Sequence, residues 1–208
     1  MYIVCFDMES VLTPEIWIEF SKVSGIPELC RTTRDEPDYD KLMRWRLKIL
    51  KEHGLGIKEV QDVISRIDPL PGAREFLDKL REDVQIVILS DTFEEFAKPL
   101  VKALGMPPIL CNSLEIAENG EILAHKMRIS HSKLSAVNAF KSIHYDIIAV
   151  GDSYNDLEML KAAKAGFLFN TTEKMKAENP DLKAFDDFHS LYQAITEVLN
   201  KEEKASIE

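Results

Sequence analysis

The stretch Ile3-Val4-Cys5-Phe6-Asp7-Met8-Glu9 decides the fold. Its four leading apolar residues read as a strand buried on both faces, as in a parallel sheet. They run directly into two carboxylates. Open α/β sheets bind their ligands outside the carboxyl ends of the strands. In an extended chain residues 7 and 9 point to the same side. A carboxylate pair at a sheet edge is therefore expected from the first strand.

Outward from this strand, Thr13 as N-cap and Pro14 at the first position predict a helix with Ile16, Trp17, Phe20 and Val23 inward, ended by Gly25. A second helix is predicted over 38–53, with Leu42, Met43, Leu47 and Leu50 inward, and a third over 57–67. Asp68-Pro69-Leu70-Pro71-Gly72 is the strongest breaker in the chain and closes a helical insert of 14–70. Beyond it, strands at 84–89, 109–111, 146–150 and 167–169 alternate with helices at 73–82, 93–104, 132–143, 153–164 and 188–199. Such alternation predicts an α/β fold with a parallel sheet and right-handed crossovers. Asn119-Gly120, between 114–117 and 121–124, predicts a β-hairpin near 113–125. The expected organisation is a core of 1–13 and 71–200, a small helical cap of 14–70, and a frayed tail at 201–208.

The chain has 208 residues, 45% apolar and 30% charged, with a net charge of −10. That balance fits a soluble globular protein and argues against a nucleic-acid or anionic-membrane partner. Cys5, Cys30 and Cys111 are widely spaced and read as reduced thiols of a cytoplasmic protein. Asp7 and Glu9 interrupt any leader-like run, and no apolar run reaches membrane-spanning length.

Three of the predicted strands end in polar residues: Asp7 and Glu9, then Ser90-Asp91-Thr92, then Gly151-Asp152-Ser153-Tyr154-Asn155-Asp156. Parallel pairing brings these ends together. Asp7, Glu9, Asp152 and Asp156 would then raise one another's pKa. A hard divalent cation with oxygen ligands relieves that repulsion, and Mg²⁺ suits it. One carboxylate can remain a nucleophile. Ser90 is expected to end its strand just before a helix N-terminus, where backbone N–H groups favour phosphate oxygens. Lys133 falls in the first turn of a helix, against the macrodipole, which points to a role such as neutralising a phosphoryl group. Local readings compete. Ser153 with Asp156 and Thr92 with Glu95 both match capping boxes, Lys133 alone reads as a solvated lysine, and Asp7 alone as a buried hydrogen-bonded carboxylate. Capping does not account for two carboxylates after the first strand.

In this order, the motifs resemble those of the haloacid dehalogenase superfamily across nearly the whole chain. The first motif is matched by Asp7-Met8-Glu9-Ser10-Val11, the second by Ile86 to Ser90, the lone lysine by Lys133, and the last by Gly151 to Asp156. The helical insert between the first two motifs, and the short stretch between Ser90 and Lys133, resemble the phosphoserine phosphatase branch. Within it the chain is most similar to a subgroup of phosphoserine phosphatase/homoserine phosphotransferases. The matches are the Asp-x-Glu of the first motif, Pro14-Glu15-Ile16-Trp17-Ile18, the segment Thr32-Thr33-Arg34-Asp35 with Pro37-Asp38-Tyr39-Asp40, and Gly-Asp-Ser-Tyr-Asn-Asp at 151–156.

The resemblance implies a Rossmann-like, doubly wound core. It implies Mg²⁺-dependent transfer from phosphoserine through an aspartyl-phosphate on Asp7. Asp7, Asp152 and the backbone carbonyl of Glu9 would hold the metal. Ser90, Asp91, Lys133 and Asn155 would bind the phosphate, Glu9 would be the acid/base, and Asp156 would orient Lys133 or a metal-bound water. Glu15 and Arg46 match the cap residues that bind the amino acid's ammonium and carboxylate. Glu15 also reads as a favourable first-turn acid and Arg46 as a solvated face residue, although arginine matches a carboxylate bidentately. Glu9 departs from the usual second Asp, which leaves both water and homoserine open as acceptors. The competing readings are a phosphatase of another small phosphomonoester and a non-enzymatic phospho-receiver switch. A homodimer is left open.

Overall fold

Strand β1 (Tyr2–Phe6) lies at the centre of the molecule. Its run of apolar residues is buried because both faces are covered. Val4 and Phe6 belong to one hydrophobic cluster, while Ile3 and Cys5 belong to another on the opposite face. The computed structural model describes residues 1–32, 35, 36 and 38–205, with side chains to 201. Thr33, Arg34 and Pro37 of the segment quoted above lie outside the described residues.

The chain continues through helices α1 (Ile16–Ser24), α2 (Tyr39–Glu52), α3 (Ile57–Ile64) and α4 (Ala73–Leu80) to β2 (Gln85–Phe93). Then come α5 (Glu94–Ala103), β3 (Ile109–Ile116), β4 (Ile122–Lys126), α6 (Ser132–Ser142) and β5 (Asp146–Gly151). The last elements are α7 (Leu157–Ala162), β6 (Ala165–Phe169), α8 (Glu173–Glu178), β7 (Lys183–Phe185) and α9 (Phe188–Ala205). The seven strands form one sheet in the order β4-β3-β2-β1-β5-β6-β7. All pairings are parallel except the β3–β4 hairpin. β1 pairs with Gln85–Ile88 of β2 on one side and Asp146–Val150 of β5 on the other. Helices α4, α5 and α9 pack on the face of Val4 and Phe6, while α6 and α7 cover that of Ile3 and Cys5. The fold is thus the expected doubly wound α/β sheet.

The chain between β1 and α4 leaves and rejoins the sheet on adjacent strands of backbone, because the Leu70 N–H donates to the Leu12 carbonyl at 2.9 Å. Met8, Leu12, Ile16, Trp17, Phe20, Met43 and Leu47 continue the cluster of Val4 and Phe6 without a break. The end of α2 and the start of α3 rest on the β3–β4 hairpin. Ile57 N–H donates to the Gly120 carbonyl at 2.9 Å, and Lys51 meets Glu121 at 2.6 Å.

Several local expectations are corrected. Thr13 is not the N-cap of α1. Glu15 takes that position, and Thr13 makes a bridge with Glu9. β2 does not stop at Ser90 but runs to Phe93, with a shift in its pairing to β3 between Leu89 and Phe93. Ser90 therefore does not adjoin a helix N-terminus. The Thr92/Glu95 capping box is absent, because Glu95 accepts from Leu114 N–H at 3.0 Å and ties α5 to β3. The strands expected at 109–111 and 114–117 are one strand. The last helix, expected to end near 199, continues to Ala205.

Candidate active site

The ends of β1, β2 and β5 meet as their parallel pairing requires. Asp7 N–H still donates to Val150 O at 2.9 Å, so the first carboxylate stands beside the start of the 151–156 loop. Lys133, on the first turn of α6, reaches between the two ends. Its Nζ lies 2.8 Å from Asp7 Oδ1 and 2.6 Å from Asp156 Oδ1, with all three side chains buried. Lys133 is therefore not a solvated lysine.

Asp156 does two things with its two oxygens. Oδ1 takes Lys133, while Oδ2 accepts from Asp152 N–H at 3.0 Å and Ser153 N–H at 3.2 Å. The capping box predicted at 153–156 is real, and it also fixes the ion pair. Gly151 makes this possible: a Cβ there would lie 2.5 Å from Cβ and Cγ of Asp156, well inside contact distance. The Thr171 hydroxyl donates to the Asp152 carbonyl and steadies the same loop.

One carboxylate oxygen from each of Asp7, Asp152 and Asp156 lies within 4.8 Å of the others. One buried lysine faces these three acids. Burial, then Asp156, raise the Asp7 carboxyl well above its ordinary value, against the pull of Lys133. Burial and Asp156 push Asp152 up to about 7. Burial alone would lower the Lys133 pKa, but Asp156 and Asp7 outweigh it and hold the ammonium raised and charged. The surplus of buried negative charge and its all-oxygen donor set fit a hard divalent cation. Of the carboxylates expected here, Glu9 does not join this set through its side chain. After β1 the chain turns at Ser10, in left-handed backbone (φ 62), and Glu9 Oε2 accepts from Ile16 N–H at 3.0 Å at the start of α1. Burial raises Glu9 to about 7, opposed by that N–H.

Ser90 is buried beside this group, its hydroxyl accepting from Thr92 N–H at 3.2 Å. The Asp91 carboxylate is occupied, by the Ser132 hydroxyl at 2.9 Å and by Asn155 Nδ2 at 3.2 Å. A carboxylate also repels a phosphoryl group, so any phosphate contact at Asp91 falls to its main chain. Arg46 is buried, not solvated. It donates to the Arg31 carbonyl at 2.6 Å and lies 4.5 Å from the Trp17 ring centroid. Among the described residues its buried Nε has no hydrogen-bond partner. Burial lowers it to about 10, partly offset by Tyr39, Glu9 and Glu15. Glu15 sits at the N-terminus of α1, where it acts electrostatically on Glu9, Asp152 and Arg46. All ten predicted residues thus gather at one end of the sheet. Thr171, Ser132 and Tyr39 also meet the group, although no local pattern marks them.

The chain belongs to the haloacid dehalogenase-like hydrolases, whose family model matches residues 2–164. That membership sets aside the phospho-receiver reading. Phosphoserine phosphatase ThrH of Pseudomonas aeruginosa is 50% identical over 191 residues, covering 92% of this chain and 93% of that protein. A phosphoserine phosphatase of Pseudomonas syringae pv. tomato is 48% identical, over 96% of this chain and 84% of that protein. A substrate-bound phosphoserine phosphatase complex has the same fold, with a TM-score of 0.76 at 22% identity over 93% of this chain and 97% of that one. Among the described residues no helix is long and apolar enough to cross a membrane.

Proposed function

We propose that the protein is a cytoplasmic phosphoserine phosphatase that works through an aspartyl-phosphate and also passes the phosphoryl group to homoserine. The observation that carries this reading is the buried Asp7–Lys133 contact at 2.8 Å, a carboxylate held beside a fixed cation at the end of the central strand. The names of the two half-identical relatives support the substrate, and three unpaired cysteines support the compartment.

Asp7 attacks phosphorus in line and becomes the aspartyl-phosphate. Lys133, Ser90, the Asp91 main chain and the second amide hydrogen of Asn155 take the transferring oxygens, and Asp156 holds Lys133 in place. Such positioning and charge stabilisation are most of what phosphoryl transfer requires. Mg²⁺, held by Asp7, Asp152 and the Glu9 carbonyl, would supply further charge neutralisation at those oxygens. Glu9 Oε2 is engaged by Ile16, which leaves Oε1 to protonate the leaving serine oxygen and then to deprotonate the acceptor. Its raised pKa suits both halves of that task. Residues 14–70 act as a cap that excludes bulk water. Within it, Arg46 Nε and Glu15 bind the carboxylate and ammonium of the substrate.

The direct test is phosphoserine with Mg²⁺, with and without homoserine, scoring phosphate against phosphohomoserine. Absence of Mg²⁺-dependent phosphate release sinks the reading. Release that homoserine never diverts removes the transferase half. Arg46→Ala is expected to raise KM for phosphoserine about tenfold or more, the cost of a charged hydrogen bond, with a much smaller effect on p-nitrophenyl phosphate. Equal effects on both would count against carboxylate binding.

A further inference from the structure

Tyr39 stands on the first turn of α2, seven residues before Arg46, so the two side chains leave the same face of the helix. Its hydroxyl donates to the Asp91 carbonyl at 3.3 Å. The charged groups that act on that hydroxyl are Glu9, Arg46 and Asp91. One phenol thus bonds to the residue that follows Ser90 in β2 and lies within electrostatic reach of Glu9 and Arg46. The ring stands edge-on to His125 at 6.3 Å, and the neighbouring Asp40 pairs with His125 at 3.0 Å. These contacts seat the start of α2 against the hairpin strand β4.

The acceptor of the Tyr39 bond is a junction. Asn112 Nδ2 shares the Asp91 carbonyl at 3.0 Å, while Ser132 and Asn155 bind the Asp91 carboxylate. Ser132 precedes Lys133, and Asn155 precedes Asp156. A shift of α2 that keeps the Tyr39 bond therefore moves Asp91 and the elements that carry the reacting groups, and loss of the bond uncouples them. Phenylalanine would keep the ring packing and lose only this bond.

We propose that Tyr39 is a positioning residue whose hydroxyl, bonded to the Asp91 carbonyl, couples the Arg46 end of the site to its reacting end. Recognition of the amino-acid part of the substrate is thereby transmitted to closure over Glu9. This rests on the phosphoserine reading above.

Tyr39→Phe tests it, with kcat and KM measured separately for phosphoserine and p-nitrophenyl phosphate in Mg²⁺, and with hydrogen exchange of the 42–46 amides. The ratio of kcat/KM for phosphoserine to that for the simple ester is expected to fall about fivefold, mostly in the phosphoserine KM. The amides are expected to exchange about fivefold faster. An unchanged ratio in an active enzyme overturns the proposal whatever the exchange rates. So does an equal loss on both substrates with a lowered melting temperature, which marks a merely structural role. If the unmutated protein cleaves the simple ester but not phosphoserine, the substrate reading has failed. Exchange then decides whether the Tyr39 bond holds α2 to Asp91: faster exchange in Tyr39→Phe supports it, and unchanged exchange overturns it.

Discussion

Asp7→Asn is expected to lower phosphate release from phosphoserine by more than about 10³-fold, since a nucleophile has no substitute in the site. Asparagine keeps the shape of the side chain and can still accept from Met8 N–H, which lies 2.7 Å from Asp7 Oδ1. The melting temperature should therefore change little, and the loss will be chemical. Substrate binding measured by calorimetry should survive while the burst of the covalent step disappears. If the variant keeps a tenth of the activity, Asp7 is not the nucleophile and the covalent route is wrong.

Lys133→Met should damage both stability and turnover. Methionine fills similar volume without the charge, leaving the buried Asp7 and Asp156 without their shared cation. Breaking a buried ion pair from one side costs about 3–5 kcal/mol. For a chain of this size that lowers the melting temperature by roughly 10 °C. Turnover should fall about 10²–10³-fold, as when one donor to a developing charge is removed. Added Mg²⁺ should recover more of the melting temperature in the variant than in the unmutated protein, because it binds the folded acids only. A variant with unaltered stability and activity would return Lys133 to the status of an ordinary lysine.

How much of this was legible beforehand follows from the kind of signal involved. The central strand and its carboxylates could be read because an apolar run and its end are local. Lys133, Asp152 and Asp156 could be placed because parallel pairing forces three strand ends together. The strand end at Ser90 could not be drawn correctly. Ser90-Asp91-Thr92 reads as a break, yet β2 carries the polar residues through a register shift and stops only at Phe93. α8 and β7 leave no sequence signal, because six and three residues hold too little periodicity. Tyr39 and Asp91 lie in different elements, so only the folded chain shows their bond. Glu15 reads in the sequence both as a helix-start acid and as a ligand, and its place at the N-terminus of α1 serves either. Asp156 shows how such competing readings can both be right, as a cap through one oxygen and an ion pair through the other.

The position of β1 between β2 and β5 also has a bearing on synthesis. Residues 3–6 leave the ribosome long before Gln85–Ile88, and longer still before Asp146–Val150, between which they must lie. At roughly 5–20 residues per second, the wait from residue 6 to residue 150 is on the order of ten seconds. Through that interval a wholly apolar segment has no sheet partner on one or both sides. Nascent chains halted before residue 146 should therefore engage holding chaperones through their first strand, and release should follow once β5 has emerged.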